Sequence, residues 1–483
     1  MIKLLQILHF VNILTRKVMS MKDADVIIVG GGIAGLSAAV RLKEHGIKTI
    51  LLEAKNRIGG RIFTDGKLEL GAQWIHGGCP GNPLFNYAST KKLLGSKVKR
   101  VGDDQEDDYP TGYFYTSQGR IIDRDISNKA WDIYENINDE TEFSFKNAEP
   151  SLQGQSLGEF YKKRVKEEIR KLKKDDYSRN EMKDIEMVVE SLSLMLAGYL
   201  GDSLEEASLY LYGSSEELPG EDVVVPDGLN SIINALAQDM DSNFELEKPV
   251  EKIKWSSEGV EVVTKDRVYN ADHAIVTVPI GVLQTQDLFS PQLDDKKKRG
   301  IENMRGGRIS KIFLEFDKPF WNEGEGNINF VWTKKDIDGA NLPEEWFKTV
   351  NGFDEVEGTN DTLIMWVVGS AAEYVDKLGD KEILEQAGKL LRRFTGDPAL
   401  SLPNKVRRHP WLADPYALGT WSYPSIYSTH QDYKELSTPL PSPTVPRLLL
   451  AGEHVHPQYW SFMHGARLSG IEQADKIAEF MKK

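Results

Sequence analysis

Four apolar residues in a row, Val26-Ile-Ile-Val29, sit between Asp25 and Gly30. An unbroken β-branched run of this length predicts a parallel strand buried on both faces rather than a half-exposed one. It opens into Gly30-Gly-Gly32-Ile-Ala-Gly35, then Leu36 to His45 reads as a helix stopped at Gly46. A second strand, Lys48-Thr-Ile-Leu-Leu52, ends at Glu53. The middle of the chain changes period. Val165, Ile169 and Leu172 fall on one face of a charged helical stretch from Phe160 to Lys174, and Ile185, Val188, Val189 and Leu192 mark a second amphipathic helix. Strand patterns return at Val250–Lys254, Val260–Val263 and Ala274–Val278, and Arg447-Leu-Leu-Leu-Ala-Gly452 is another buried run ending at an acid, Glu453. Strands and helices mixed in this order predict an α/β protein.

The first turn carries the strongest chemistry. In strand–turn–helix context, Gly30 permits the tight turn, Gly32 lets backbone approach a diphosphate, and Gly35 lets the helix pack on the strand. The helix N-terminus then faces the diphosphate charge, and Glu53 stands where ribose hydroxyls need an acceptor. Composition narrows the partners. Among 483 residues, 74 acidic against 60 basic side chains give a net charge of −14, which excludes the cationic footprint of a nucleic-acid binder. One cysteine, Cys79, rules out an internal disulfide, a Cys-rich zinc site and an iron–sulfur cluster. His454 and His456 have no third ligand at a fitting spacing, so no metal is expected. No apolar run is long enough to span a membrane.

Glu53-Ala-Lys-Asn-Arg57-Ile-Gly59-Gly60-Arg61 adds two glycines and two arginines directly after the ribose acid, suited to a second clamp on a diphosphate. Here the chain resembles the flavin-dependent amine oxidases. Leu70-Gly71-Ala72-Gln73-Trp74-Ile75-His76-Gly77 is similar to their polyamine oxidase branch, as are Lys311-Ile-Phe-Leu-Glu-Phe-Asp-Lys-Pro-Phe-Trp321 and the terminal Tyr459-Trp460-Ser461-Phe462-Met463-His464-Gly465. The resemblance spans about residues 24 to 478 and implies non-covalent FAD; Thr420 stands where the monoamine branch has its flavin-linking cysteine. It implies a glutathione-reductase-like (Rossmann-type) FAD domain, residues 23–95, 225–318 and 436–483, interleaved with an α+β substrate domain, residues 96–224 and 319–435, after an extension over 1–22.

The implied cofactor residues are Gly30, Gly32, Gly35, Glu53, Arg61, Gly71, Ala72, Val250 at the adenine, Glu453 and Met463. Lys311 falls on the family lysine that holds a water against the flavin, and His76 on the channel histidine, where it acts as a general base or bonds the substrate amine. Trp421 and Phe462 match the two walls of an aromatic cage, with Trp74 also toward the substrate. The implied reaction oxidises the carbon beside an amine nitrogen to an imine, hydrolysed to aldehyde and amine, while O2 becomes H2O2.

Two departures bear on the substrate. Tyr212-Gly213-Ser214-Ser215 lacks a carboxylate that animal polyamine oxidases carry there, and Phe462-Met463 replaces their Thr-Thr. Oxidation of another amine or amino acid, or a flavin-binding scaffold without turnover, are the alternatives these departures raise. The acidic residues from Asp202 to Asp222, and the acidic loop Gly102–Pro110, read either as solvated faces or as a wall attracting a polycation. A cytoplasmic location is expected, while the apolar segment Ile2–Leu14 leaves secreted or mitochondrial routes open.

Overall fold

The computed structural model describes residues 22–100, 112–146, 150–173, 176–240, 244–322 and 324–482. The extension up to residue 21 and the acidic loop Gly102–Pro110 lie outside the described residues. What remains is a mixed α/β structure with several sheets.

The predicted first strand, Val26–Val29, is fully buried and lies near the centre of a six-stranded sheet. It pairs in parallel with Thr49–Leu52 on one side and with His273–Val276 on the other. Val445–Leu450 adds in parallel beyond His273–Val276, and Phe244–Glu245 beyond Thr49–Leu52. One edge is closed by the antiparallel strand Leu440–Ser442. Five separate stretches of sequence therefore meet in one sheet, and the continuous apolar runs follow from burial on both faces. Helix Ile33–Glu44 begins three residues before the expected position, because extended Gly32 serves as its N-cap. It packs against the last helix, Met463–Met481.

A second six-stranded sheet runs in the order Lys405–Arg408, Ile309–Glu315, Thr362–Val368, Gly352–Glu355, Ile328–Val331, Tyr113–Thr116. All its pairs are antiparallel except the last. The two predicted amphipathic helices form. Leu157–Lys171 is capped by the Ser156 hydroxyl, which accepts from the Glu159 amide; it ends before Leu172, whose backbone is extended. Arg179–Leu200 starts in a Ser178/Glu181 capping box, buries Ile185, Val188, Val189 and Leu192, and stops at left-handed Gly201. Among the described residues no helix is long and apolar enough to cross a membrane.

Candidate active site

A cavity of about 420 Å³ opens at the C-terminal ends of the parallel strands and continues to the face of the second sheet. At the first end its wall is largely backbone. Gly30 has φ +107°, and a Cβ added to Gly35 would come 2.1 Å from the Gly30 carbonyl oxygen, so neither position admits a side chain. Gly32 differs: a Cβ there would meet nothing within 4 Å, so its hydrogen faces the open cavity. The helix that follows has no side-chain cap and no acid in its first turn, leaving amides free for an anion. Glu53 is buried and accepts from the Gly31 amide (2.7 Å) and the Lys55 amide (2.9 Å). Burial pushes its carboxyl up, against the pull of those two amides. It pins the glycine loop while still lining the cavity, a structural duty beyond the expected ribose contact.

Arg61 donates to Glu453 at 2.9 Å and to the Thr420 carbonyl. Burial raises the Glu453 carboxyl, but the Arg61 charge, His454 and the Ser422 hydroxyl at 2.5 Å outweigh it and hold it below the usual range. Glu453 also accepts from the Ser461 amide (3.1 Å), where Ser461 adopts φ +69°. Three distant segments are thus tied together beside Phe462. Gly71, Ala72, Val250 and Met463 all line the cavity as expected. Met463 opens a second helix without a side-chain cap.

At the other end stands Lys311. It is 4% exposed on strand Ile309–Glu315 and donates to the backbone carbonyls of Glu69 (2.6 Å) and Gly71 (3.2 Å). An ammonium has three donors, so one is left for whatever enters the cavity. Its Nζ lies 5.2 Å from the ring centre of Trp366, its cross-strand partner, which also lines the cavity. Burial lowers the amine to about 7, only partly opposed by Glu69.

Trp421 and Phe462 line this end too. The Trp421 indole donates to the carbonyls of Leu200 (2.9 Å) and Tyr199 (3.1 Å), capping the helix that Gly201 ends. Behind it, buried Asp202 receives Arg308 through two nitrogens, at 2.7 and 2.9 Å, next to the Lys311 strand. Phe462 stacks on buried His464 at 5.0 Å and 13°. Burial first, and then His76 and His456, lower the His464 imidazole to about 3.

His76 and Trp74 are not among the residues that line the cavity. Ile75 between them is fully buried and pairs with Val223, which turns both neighbours the opposite way. His76 packs against Phe462 (5.2 Å) and bonds Asp222 at 2.9 Å. The acidic stretch is not one wall. Asp202 is buried in an ion pair, Asp222 serves His76, Glu205 pairs with Lys162, and Glu216 accepts from Gln458.

The profile of the flavin containing amine oxidoreductase family matches residues 33–478. The chain belongs to this family. Human and bovine peroxisomal N(1)-acetyl-spermine/spermidine oxidases are 32% and 29% identical to it, each over 94% of this chain and 94% of their own length. Polyamine oxidase 1 of Oryza sativa subsp. japonica is 25% identical, over 95% of this chain and 98% of its own.

The donor set fits a flavin dinucleotide, as membership of this amine oxidoreductase family requires. Open Gly32, two uncapped helix starts and the Arg61–Glu453 pair supply the diphosphate end. The buried Thr420 hydroxyl lines the cavity without a hydrogen-bond partner among the described residues, which leaves a polar atom for a bound group. Sequence reading missed Thr277, Trp366 and Ser461. Thr277 sits against Gly30, Trp366 faces Lys311 across the sheet, and Ser461 meets Glu453. Only the Thr-Val-Pro279 strand end and the Tyr-Trp-Ser461 motif offered a local signal for two of them.

Proposed function

We propose that this protein is an FAD-dependent polyamine oxidase acting on spermine, spermidine or their acetylated forms. The observation that carries the reading is the single cavity joining a dinucleotide cradle to Lys311, Trp366, Trp421 and Phe462. The chemistry FAD supplies when bound is two-electron oxidation of the carbon beside an amine nitrogen, with dioxygen as final acceptor and peroxide as product. Gly30, Gly32, Gly35, Glu53, Arg61, Glu453 and Met463 hold the dinucleotide, and Val250 meets the adenine. The fold is then the glutathione-reductase-like one, with the FAD domain at 23–95, 225–318 and 436–483 interleaved with the substrate domain.

Trp421 and Phe462 confine the amine between two π-faces and exclude bulk water. Lys311 holds a water or a proton at the reacting end through the donor its two carbonyls leave free. Its amine, near 7, exchanges that proton at ordinary pH. His76, with Asp222 behind it, stands at the rim and bonds the incoming substrate rather than the reacting atoms. No cysteine occupies position 420, which supports non-covalent binding. The single cysteine suits a reducing compartment, and the cytoplasm is the proposed location.

Peroxide release from flavin-loaded protein on addition of spermine, spermidine and their acetylated forms tests this reading. Silence with all four, together with flavin that no amine bleaches under nitrogen, would leave only the scaffold.

A further inference from the structure

The proposed substrates carry ammonium groups beyond the reacting nitrogen, and the site must read them. Position 214, where the animal relatives of this branch are expected to carry a carboxylate, cannot. Ser214 is buried, donates to the Leu211 carbonyl and accepts from Trp460. Four carboxylates line the cavity; Glu251 stands beside Val250, at the proposed adenine end, and the other three are engaged. Glu453 belongs to Arg61, Glu53 to two backbone amides, and Asp287 to Lys252.

Sheet register leads to another acid. Lys311 pairs with Trp366, and two residues before Trp366 stands Ile364, which pairs with Asp354 on the next strand. Side chains at cross-strand partners and at every second residue share a face. Asp354 therefore lies on the same face of the sheet as Lys311 and Trp366. Two strand spacings across and two residues along put its α-carbon roughly 12 Å from that of Lys311. An extended aminoalkyl chain spans this separation. The Asp354 carboxylate accepts from the Trp366 side chain, which lines the cavity. Continuing this register by two residues puts Gly352, which has no side chain, opposite Trp366.

Asp354 has no cationic partner among the described residues, unlike Asp202 and Asp222. Solvent reaches it, yet protein surrounds it closely enough to push its carboxyl up to about 6. Tyr199 is near: desolvation first, and then the charges of Asp354, Asp222 and Glu217, push its phenol up to about 12, although the residue is 67% exposed. Tyr199 is also the residue whose carbonyl receives the Trp421 indole. An unneutralised carboxylate that solvent reaches, on the same face as the reacting end, is complementary to a cation that arrives with the ligand.

We propose that Asp354 is a specificity-determining residue that pairs with a distal ammonium of the substrate. This rests on the polyamine reading but is tested apart from turnover. Calorimetry on flavin-loaded protein would compare 1,8-diaminooctane, a dication without a secondary nitrogen, with 1-aminooctane. Wild type should bind the dication at least tenfold more tightly. Asp354→Asn should bring the two within threefold, and Asp354→Glu should retain the preference. Asp354→Ser serves the same test if the amide variant fails to fold. In turnover, Asp354→Asn should lose at least tenfold more in kcat/KM on spermine than on a dialkylamine, mainly through KM. No dication preference in wild type, or a preference that survives both neutral variants, would overturn the proposal. If no amine releases peroxide while the binding preference holds, the oxidase reading fails and the Asp354 assignment stands.

Discussion

The two ends of the cavity are built from different materials. The dinucleotide end is backbone: glycines, helix starts and one buried ion pair, set by strands that are neighbours in a parallel sheet. The amine end is side chain: Lys311, Trp366, Trp421 and Phe462 reach it from four separate segments, and its polar anchors are carbonyls rather than charges. Backbone construction leaves no room for an added atom at Gly30 or Gly35, whereas side-chain construction tolerates graded change. Variants at the first end should therefore act through cofactor retention and stability, and those at the second through rate and affinity.

Gly35→Val carries the largest expected effect. Its Cβ would lie 2.1 Å from the Gly30 carbonyl oxygen, and the overpacking should cost about 3 kcal/mol or more. A protein that melts as wild type and keeps its yellow absorbance would break the backbone half of the contrast. Glu453→Gln comes next. It leaves Arg61 without its carboxylate, worth about 3 kcal/mol by analogy with other broken buried pairs, and should be read as weakened flavin retention and a lower Tm.

Lys311→Met should do the reverse, keeping the flavin while slowing a chemical step by ~10²-fold or more. Stopped-flow traces under nitrogen and under oxygen would show which half-reaction slows. Because burial lowers the Lys311 amine from 10.5 to about 7, it is charged below that value and neutral above it. The wild-type rate should therefore inflect near pH 7, and the variant should lose that inflection. Between those two values the unfolded chain binds the extra proton, so this group's contribution to stability rises with pH across the window.

Smaller effects would sharpen the comparison. Trp421→Phe removes the indole donor to Leu200 and Tyr199, about 1 kcal/mol, and should lower kcat/KM severalfold with flavin retention intact. His76→Ala should raise KM and leave kcat within about threefold, since its ring packs outside the cavity wall. A fall in kcat of tenfold or more would restore His76 to the chemistry.

The contrast also decides what a sequence can reveal. Gly30, Gly32, Gly35 and Glu53 lie within 24 consecutive residues, and their spacing is that of one strand, one turn, one helix and a second strand, so local periodicity suffices to place them. Lys311, Trp421 and Phe462 become legible only through family motifs, because nothing local aims them at one another. Trp366 and Asp354 escape both routes. They reach the site through the register of antiparallel pairs, which no short window contains. His76 and Trp74 sit inside a recognisable motif, yet the Ile75–Val223 bridge that sets their orientation joins residues 148 positions apart. The acidic stretch was ambiguous for the same reason, since each acid is assigned by a partner elsewhere in the chain.

The parallel sheet has one further consequence, for biosynthesis. Strand Val26–Val29 is made early, but Val445–Leu450 and helix Met463–Met481 complete its sheet only after more than four hundred further residues have been translated. Throughout that interval helix Ile33–Glu44 has an uncovered apolar face, and once residue 276 is made His273–Val276 presents an unpaired strand edge. Pairings this distant in sequence form slowly and expose surface that aggregates. Synthesis of this protein thus places a sustained demand on holdase chaperones, and a stop codon anywhere before the final helix should yield insoluble product rather than a smaller working enzyme.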